Sequence, residues 1–192
     1  MAHDVPPLET RRLVLRSMEF VVVPQVQAVF PQWEIVKYLT ASVPWPYPAN
    51  GAEFFFREIA LPRRERGEEW LWTIRLKNEP EAIIGAITLG KSEHENRGFW
   101  LNPRFHGQGY MTEACDAVTD YWFDVLKFPV LRAPKAVANE ASRRISIRQG
   151  MRVIERMERD YVSGRLPAEV WEITAEEWRA RKPRNPEGSE KS

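Results

Sequence analysis

The sequence predicts a single domain of mixed α/β class, and three observations carry that prediction. Three alternating apolar segments follow one another between residues 68 and 102 with only short turns between them. A stretch opening at Tyr110 then repeats apolar residues at helical spacing, and a further strand pattern follows it. Strands set this closely favour antiparallel hairpins, whereas strand, helix and strand in succession across Trp100 to Ala136 make a crossover unit. A chain of 192 residues suits one domain with a full core.

The elements are justified in order. "RLVLR" (Arg12 to Arg16) alternates as a short strand. Residues 22–33 have roughly helical apolar spacing, confined by Pro24 and Pro31. Prolines 44, 46 and 48 exclude helix and sheet interior alike, so Ser42 to Pro48 is a stiff loop. Asn50 with Glu53 has the pattern of a helix N-cap and its partner, opening a helix to about Arg66. "EEWLWTIRLK", "AIIGAITLGK" and "NRGFWLN" are the three strands, the last ended by Asn102–Pro103. From Met111, apolar residues at 111, 114, 115, 118, 121, 122, 125 and 126 form one buried stripe on a helix, opposite Glu113, Asp116, Asp120 and Asp124. "VLRAPKAVA" is a strand, and "NEASRRISIRQG" a short helix opened by Asn139 and closed by Gly150. Two strands follow, around Arg152 to Val162 and Ala168 to Ile173. Thr174 and Glu177 then form a capping box for a last helix containing Trp178.

Composition excludes several classes. With 43% hydrophobic and 29% charged residues the chain reads as soluble and globular. Its 28 Lys and Arg balance 27 Asp and Glu, so no field draws the whole molecule to nucleic acid or an acidic membrane. Cys115, the sole cysteine, excludes an internal disulfide and a Cys-rich zinc site, and its place in the apolar stripe makes it structural. His3, His94 and His106 lack metal-ligand spacing, so no metal is expected. No apolar run approaches the roughly 18 to 20 residues that cross a bilayer, and the start of the chain lacks a signal-peptide pattern. A cytoplasmic protein is expected, with residues 183–192 a disordered tail.

"HGQGYMTEACDAV" (106–118) carries the most chemistry. Glycines 107 and 109 stand at the mouth of a helix, where free N–H groups and the positive end of the dipole make an anion site. Glycine lets that backbone turn sharply and approach a phosphate closely. The alternative is a tight turn and nothing more. A dinucleotide fingerprint would need a third glycine where Thr112 stands, and a P-loop pattern is absent.

Arg104, Gly107 and Gly109 fit the [QR]-x-x-G-x-[GA] signature of the GNAT superfamily of N-acetyltransferases, and at this point the chain resembles that family. "ETRRLVLR" (9–16), "VPWPYP" (43–48), "GFWLNPRFHGQGYMTEA" (98–114), "NEASRRISIRQGM" (139–151) and "WEITAEEW" (171–178) resemble, in order, segments of the branch that holds the ribosomal-protein N-terminal acetyltransferases. The resemblance spans residues 9–178 as one acetyltransferase domain. It implies a mostly antiparallel mixed sheet flanked by helices, with the glycine loop holding the pyrophosphate of acetyl-CoA. One position departs: where many members of the branch carry Glu, two residues before the Gly-aromatic-aromatic of the strand, this chain has Asn96.

The resemblance implies direct acetyl transfer from acetyl-CoA to an amine within a ternary complex. It implies cofactor contacts at Trp100, Leu101, Arg104, His106, Gly107, Gln108, Gly109, Tyr110, Met111, Thr112, Asn139, Ser142 and Arg143. Backbone N–H groups around Trp100 to Asn102 would face the thioester oxygen, and Ser142 would serve the departing sulfur. Glu95, Asp160 and His94 are candidate bases, each with a solvated surface charge as its alternative. An α-amine, of pKa about 7.7 to 8.0, needs less help to become neutral than a lysine amine near 10.4, which suits a chain without an evident buried base. Trp33, Trp45, Tyr47 and Trp72, with Trp70, belong to segments that build the acceptor pocket in this branch. The expected acceptor is the N-terminal α-amine of a protein or peptide. A small-molecule amine (amino acid, antibiotic or polyamine) and a non-catalytic acyl-CoA-binding module stay open, as do monomer and homodimer; neither nucleic acid nor membrane is an expected partner.

Overall fold

Alternating side chains along the strands build two sheets in the computed structural model, which describes residues 4–181. The expected tail at 183–192 lies outside the described residues. The first sheet runs in order β1 (Leu8–Glu9), β2 (Leu13–Ser17), β3 (Glu69–Leu76), β4 (Glu79–Gly90) and β5 (Arg97–Leu101), every ladder antiparallel. The second has β6 (Val130–Ala136) and β7 (Arg152–Tyr161) on either side of β8 (Gly164–Thr174), again antiparallel.

Both faces of the first sheet are covered, so every residue of β3 but the last is buried. Trp70, Trp72 and Ile74 face α5 (Tyr110–Asp120) in a core with Leu15, Ile87, Val118 and Trp122. Leu71, Ile83 and Ala86 face the other way. There they meet α1 (Val23–Val29), α2 (Trp33–Val36) and α3 (Gly51–Phe54), the last continued by a wide turn Phe55–Ala60 into α4 (Leu61–Glu65). α6 (Glu140–Arg148) and α7 (Ala175–Arg181) complete the chain.

Two local expectations change. Asn50 precedes α3 but its side chain caps nothing; Gln27 Oε1 accepts the Ala52 N–H instead, 2.9 Å away, and Glu53 pairs with Arg57. The stripe expected through Val125 and Leu126 shifts as well. Residues Tyr121–Val125 wind as a π-turn, with Leu126 N–H bonded to the Tyr121 carbonyl five residues back. The extra residue in that turn advances the phase, so Phe123 is fully buried and Val125 is exposed. The caps at Asn139 and at Thr174 with Glu177 form as the sequence indicates, the latter with both reciprocal bonds.

Backbone hydrogen bonding brings β6 to the β5 side at one place, just before β5 begins. Asn96 N–H donates to the Arg132 carbonyl at 2.7 Å, and Arg132 N–H donates to Asn96 Oδ1, also at 2.7 Å. A side-chain oxygen thus occupies the place of the next backbone rung, and no ladder joins the two sheets beyond it. Asn96, a departure from the family pattern, is the pin of that junction.

Candidate active site

The glycine loop opens directly beyond β5. Asn102 Oδ1 accepts the Arg104 N–H at 3.2 Å and caps a short turn, Pro103–Phe105. His106 Nε2 lies 2.9 Å from the Leu101 carbonyl, which only accepts, so that nitrogen carries the proton. Gln108 Nε2 donates to the Arg104 carbonyl at 3.2 Å. The side chains of His106 and Gln108 therefore brace the loop. Gly107 and Gly109 have φ of +73° and +81°, a region that strains any other residue by about 1–2 kcal/mol. Gly109 is the N-cap of α5 and no side chain caps it. Among the described residues, no acceptor meets the N–H groups of Gly107, Gly109, Tyr110, Met111 or Thr112. Unaccepted donors at a positive helix end fit a diphosphate, while the Met111 side chain stays in the core.

Arg12 fastens this loop, a role sequence reasoning missed. Its Nε donates to Glu113 at 2.7 Å, its Nη1 donates to the Gln108 carbonyl at 3.0 Å, and its guanidinium lies 4.4 Å above the Tyr110 ring. The Arg12 N–H and the Thr10 hydroxyl also donate to Glu113. A contact about 100 residues apart in sequence leaves no local pattern to read.

Register decides which β5 groups face the gap between the sheets. Asn102 N–H donates to the Ile84 carbonyl, so the Trp100–Ala86 pair, one full repeat along, is also hydrogen-bonded. The N–H groups of Trp100 and Asn102 thus turn toward β4, and those of Phe99 and Leu101 turn away from it into the gap. Of the donors expected from Trp100 to Asn102, only the Leu101 N–H turns away from β4 in this register. The Trp100 ring packs on the opposite face, 5.3 Å from Phe30.

Across the gap stands α6. Asn139 Oδ1 accepts the Ser142 N–H at 3.2 Å, which fixes the first turn. Ser142 Oγ lies 2.9 Å from Lys135 Nζ, and both residues are buried. Lys135 Nζ is 5.3 Å from the centre of the Phe99 ring, so β5, β6 and α6 converge there. Arg97 is buried beside them, with Nη1 donating to Thr119 Oγ1 at 2.8 Å. Burial, then the nearby Arg97 charge, push the Lys135 amine down to about 7. Sequence reasoning missed both cations, because each reads as an ordinary charged strand residue until the fold buries it. Arg143, expected to contact the cofactor, pairs with Glu169 at 3.0 Å and lies over Trp171.

The expected bases do not gather. Glu95 pairs with Arg159, and Asp160 is exposed with Arg165 at 3.5 Å. His94 is exposed beside Glu93. Of the expected acceptor aromatics, Trp33 and Trp45 lie 5.7 Å apart and are 43% and 42% exposed, and Tyr47 packs edge-on against Phe30 at 4.9 Å. Gly51 admits that ring, since a Cβ there would sit 2.6 Å from it. Trp72 is corrected out of the wall: it is fully buried, with its indole N–H donated to the Pro6 carbonyl. Trp70 is likewise core, edge-on to Trp122. Cys115 is buried and its thiol pKa is raised by that burial. Among the described residues no three His, Cys, Asp or Glu side chains gather as metal ligands, and no helix is long and apolar enough to cross a membrane.

Comparison with known proteins agrees with this fold. A protein named RimL, ribosomal L7/L12 α-N-protein acetyltransferase in complex with coenzyme A, shares the fold with a TM-score of 0.73 at 18% identity, over 88% of this chain and 98% of that one. A Bacillus subtilis protein provisionally named ribosomal N-acetyltransferase YdaF is 33% identical over 73 residues, 36% of this chain and 40% of its own length. The uncharacterized N-acetyltransferase YnaD of the same organism is 26% identical over 148 residues, 76% of this chain and 82% of its own. The model of the acetyltransferase (GNAT) domain matches residues 12–152, and the chain belongs to that family.

Proposed function

We propose that this acetyltransferase takes its acetyl group from acetyl-CoA and delivers it to the N-terminal α-amine of a protein or peptide. The observation that carries the reading is the set of unaccepted N–H groups at Gly107 and from Gly109 to Thr112, at the head of α5. The diphosphate of the thioester would rest there, its pantetheine arm running between β5 and α6. Leu101 N–H would donate to the thioester oxygen as it gains charge. Ser142, across the gap, would serve the sulfur.

The acceptor follows from what the far face lacks. The carboxylates nearest to hand are ion-paired or exposed. An α-amine of pKa about 7.7 to 8.0 is already partly neutral at physiological pH, whereas a lysine amine needs roughly 3.5 kcal/mol more work. The names of RimL and YdaF point the same way. The exposed pair Trp33 and Trp45 offers an apolar rim to a peptide. The test mixes protein, acetyl-CoA and a panel of free-amine peptides, blocked lysine peptides and small amines, and follows thiol release. Free-amine peptides should be preferred at least tenfold in kcat/KM. Preference for a small amine would overturn the acceptor, and CoA binding without acceptor-dependent thiol would mark a binding module.

A further inference from the structure

In its charged form the Lys135 ammonium only donates hydrogen bonds, and in the Lys135–Ser142 contact Ser142 Oγ then accepts. The single Ser142 hydroxyl hydrogen must then point elsewhere, and among the described residues no acceptor takes it. Asn139 occupies only the Ser142 backbone N–H. The hydroxyl hydrogen is therefore free for a group held between β5 and β6, where the Phe99 ring centre lies 5.3 Å from Lys135 Nζ. We propose that Lys135 is the positioning residue that makes Ser142 a proton donor to the sulfur leaving the acetyl thioester. The proposal rests on the acetyl-CoA reading above and deepens it.

The step balances as follows. The amine lone pair forms the C–N bond, the C–S bond breaks, and its electron pair goes to sulfur. Ser142 passes its hydroxyl proton to sulfur and takes one from the Lys135 ammonium. The surplus proton of the new amide goes to water, and Lys135 recovers a proton from water before the next turnover. An amine held near 7 exchanges that proton readily at neutral pH.

No carboxylate competes for Lys135 within ion-pair distance among the described residues. Glu169, its cross-strand neighbour on β8, is taken by Arg143 and Arg156. From α5, Cys115 is a buried thiol and Asp116 accepts from Gln149. Arg97 on β5 adds a second positive charge, with its Nε unpartnered. Sulfur leaving as an anion would enter a locally positive, water-poor floor.

The test is the titration of the bound thiol, read as thiolate ultraviolet absorbance of protein with CoA minus protein with desulfo-CoA. In the wild type the bound thiol should titrate about one pH unit or more below that in Lys135→Met. With acetyl-CoA, Lys135→Met should lower kcat about 100-fold or more, with its KM for acetyl-CoA little changed. Lys135→Gln supplies the same comparison if the Met variant loses its cooperative melt. Equal thiol titration in wild type and variants that bind CoA would overturn the role of Lys135 and leave the acetyl-CoA reading standing. Failure of the wild type to bind CoA would bring down that reading, and this inference with it.

Discussion

Glu113 sits in the first turn of α5, where the helix dipole, Thr10 and Arg12 all favour a negative charge. Burial alone would raise its pKa, but bonds from the Thr10 hydroxyl and from Arg12 outweigh that and hold it below the usual carboxylate range. A carboxyl depressed on folding stabilises above its unfolded pKa of about 4.3, and that contribution is lost as pH falls through the folded value. Glu113→Gln should therefore lower the urea midpoint at pH 7, and its deficit against the wild type should shrink toward pH 3. A pH-independent deficit would count against the ion pair. Lys135 shifts stability in the same direction with pH, but through a higher window. Its lowered value means the unfolded chain binds the extra proton between about 7 and about 10.4, so stability rises with pH through that window. Lys135→Met should melt no lower than the wild type at pH 7, because it removes a buried charge that has no paired carboxylate. A large loss would show that the lysine is structural. Neither role was legible in the sequence. Both depend on partners from other elements, whereas the Asn139 cap and the glycine pair were legible because a few adjacent residues specify them.

At the scale of elements, α5 and its π-turn show where periodicity reasoning stops. Apolar spacing located the helix correctly but assumed one pitch to its end; Tyr121–Val125 widens, and Phe123 takes the inward place expected of Val125. Phe123→Ala should cost about 3–5 kcal/mol of stability, and Val125→Ala within about 0.5 kcal/mol. Chemical denaturation checks both, and the reverse order would restore a regular helix. The two-sheet division was hidden for a related reason. A crossover pattern says that β5 and β6 are neighbours; only the Asn96 side chain, bonded to Arg132 in place of a rung, says where they part. Asn96→Ala should then disturb both the fold and the gap, lowering the melting temperature along with activity.

At the scale of the molecule, the cleft follows from the topology. Strands pinned at one end and unladdered beyond it leave outward N–H groups on β5, a capped helix opposite, and the glycine loop at the mouth. Ligand binding there should stabilise the whole fold, by about 2.7 kcal/mol at 100 Kd. The most direct measurement is calorimetric titration of CoA into the wild type and Gly109→Asp, with a thermal melt of each apo chain. The expected result is a saturable heat with the wild type and none with Gly109→Asp, whose added carboxylate would stand among the donors at the head of α5, while both chains melt cooperatively. No heat with the wild type, or near-normal affinity in Gly109→Asp, would contradict the placement of the diphosphate at the head of α5.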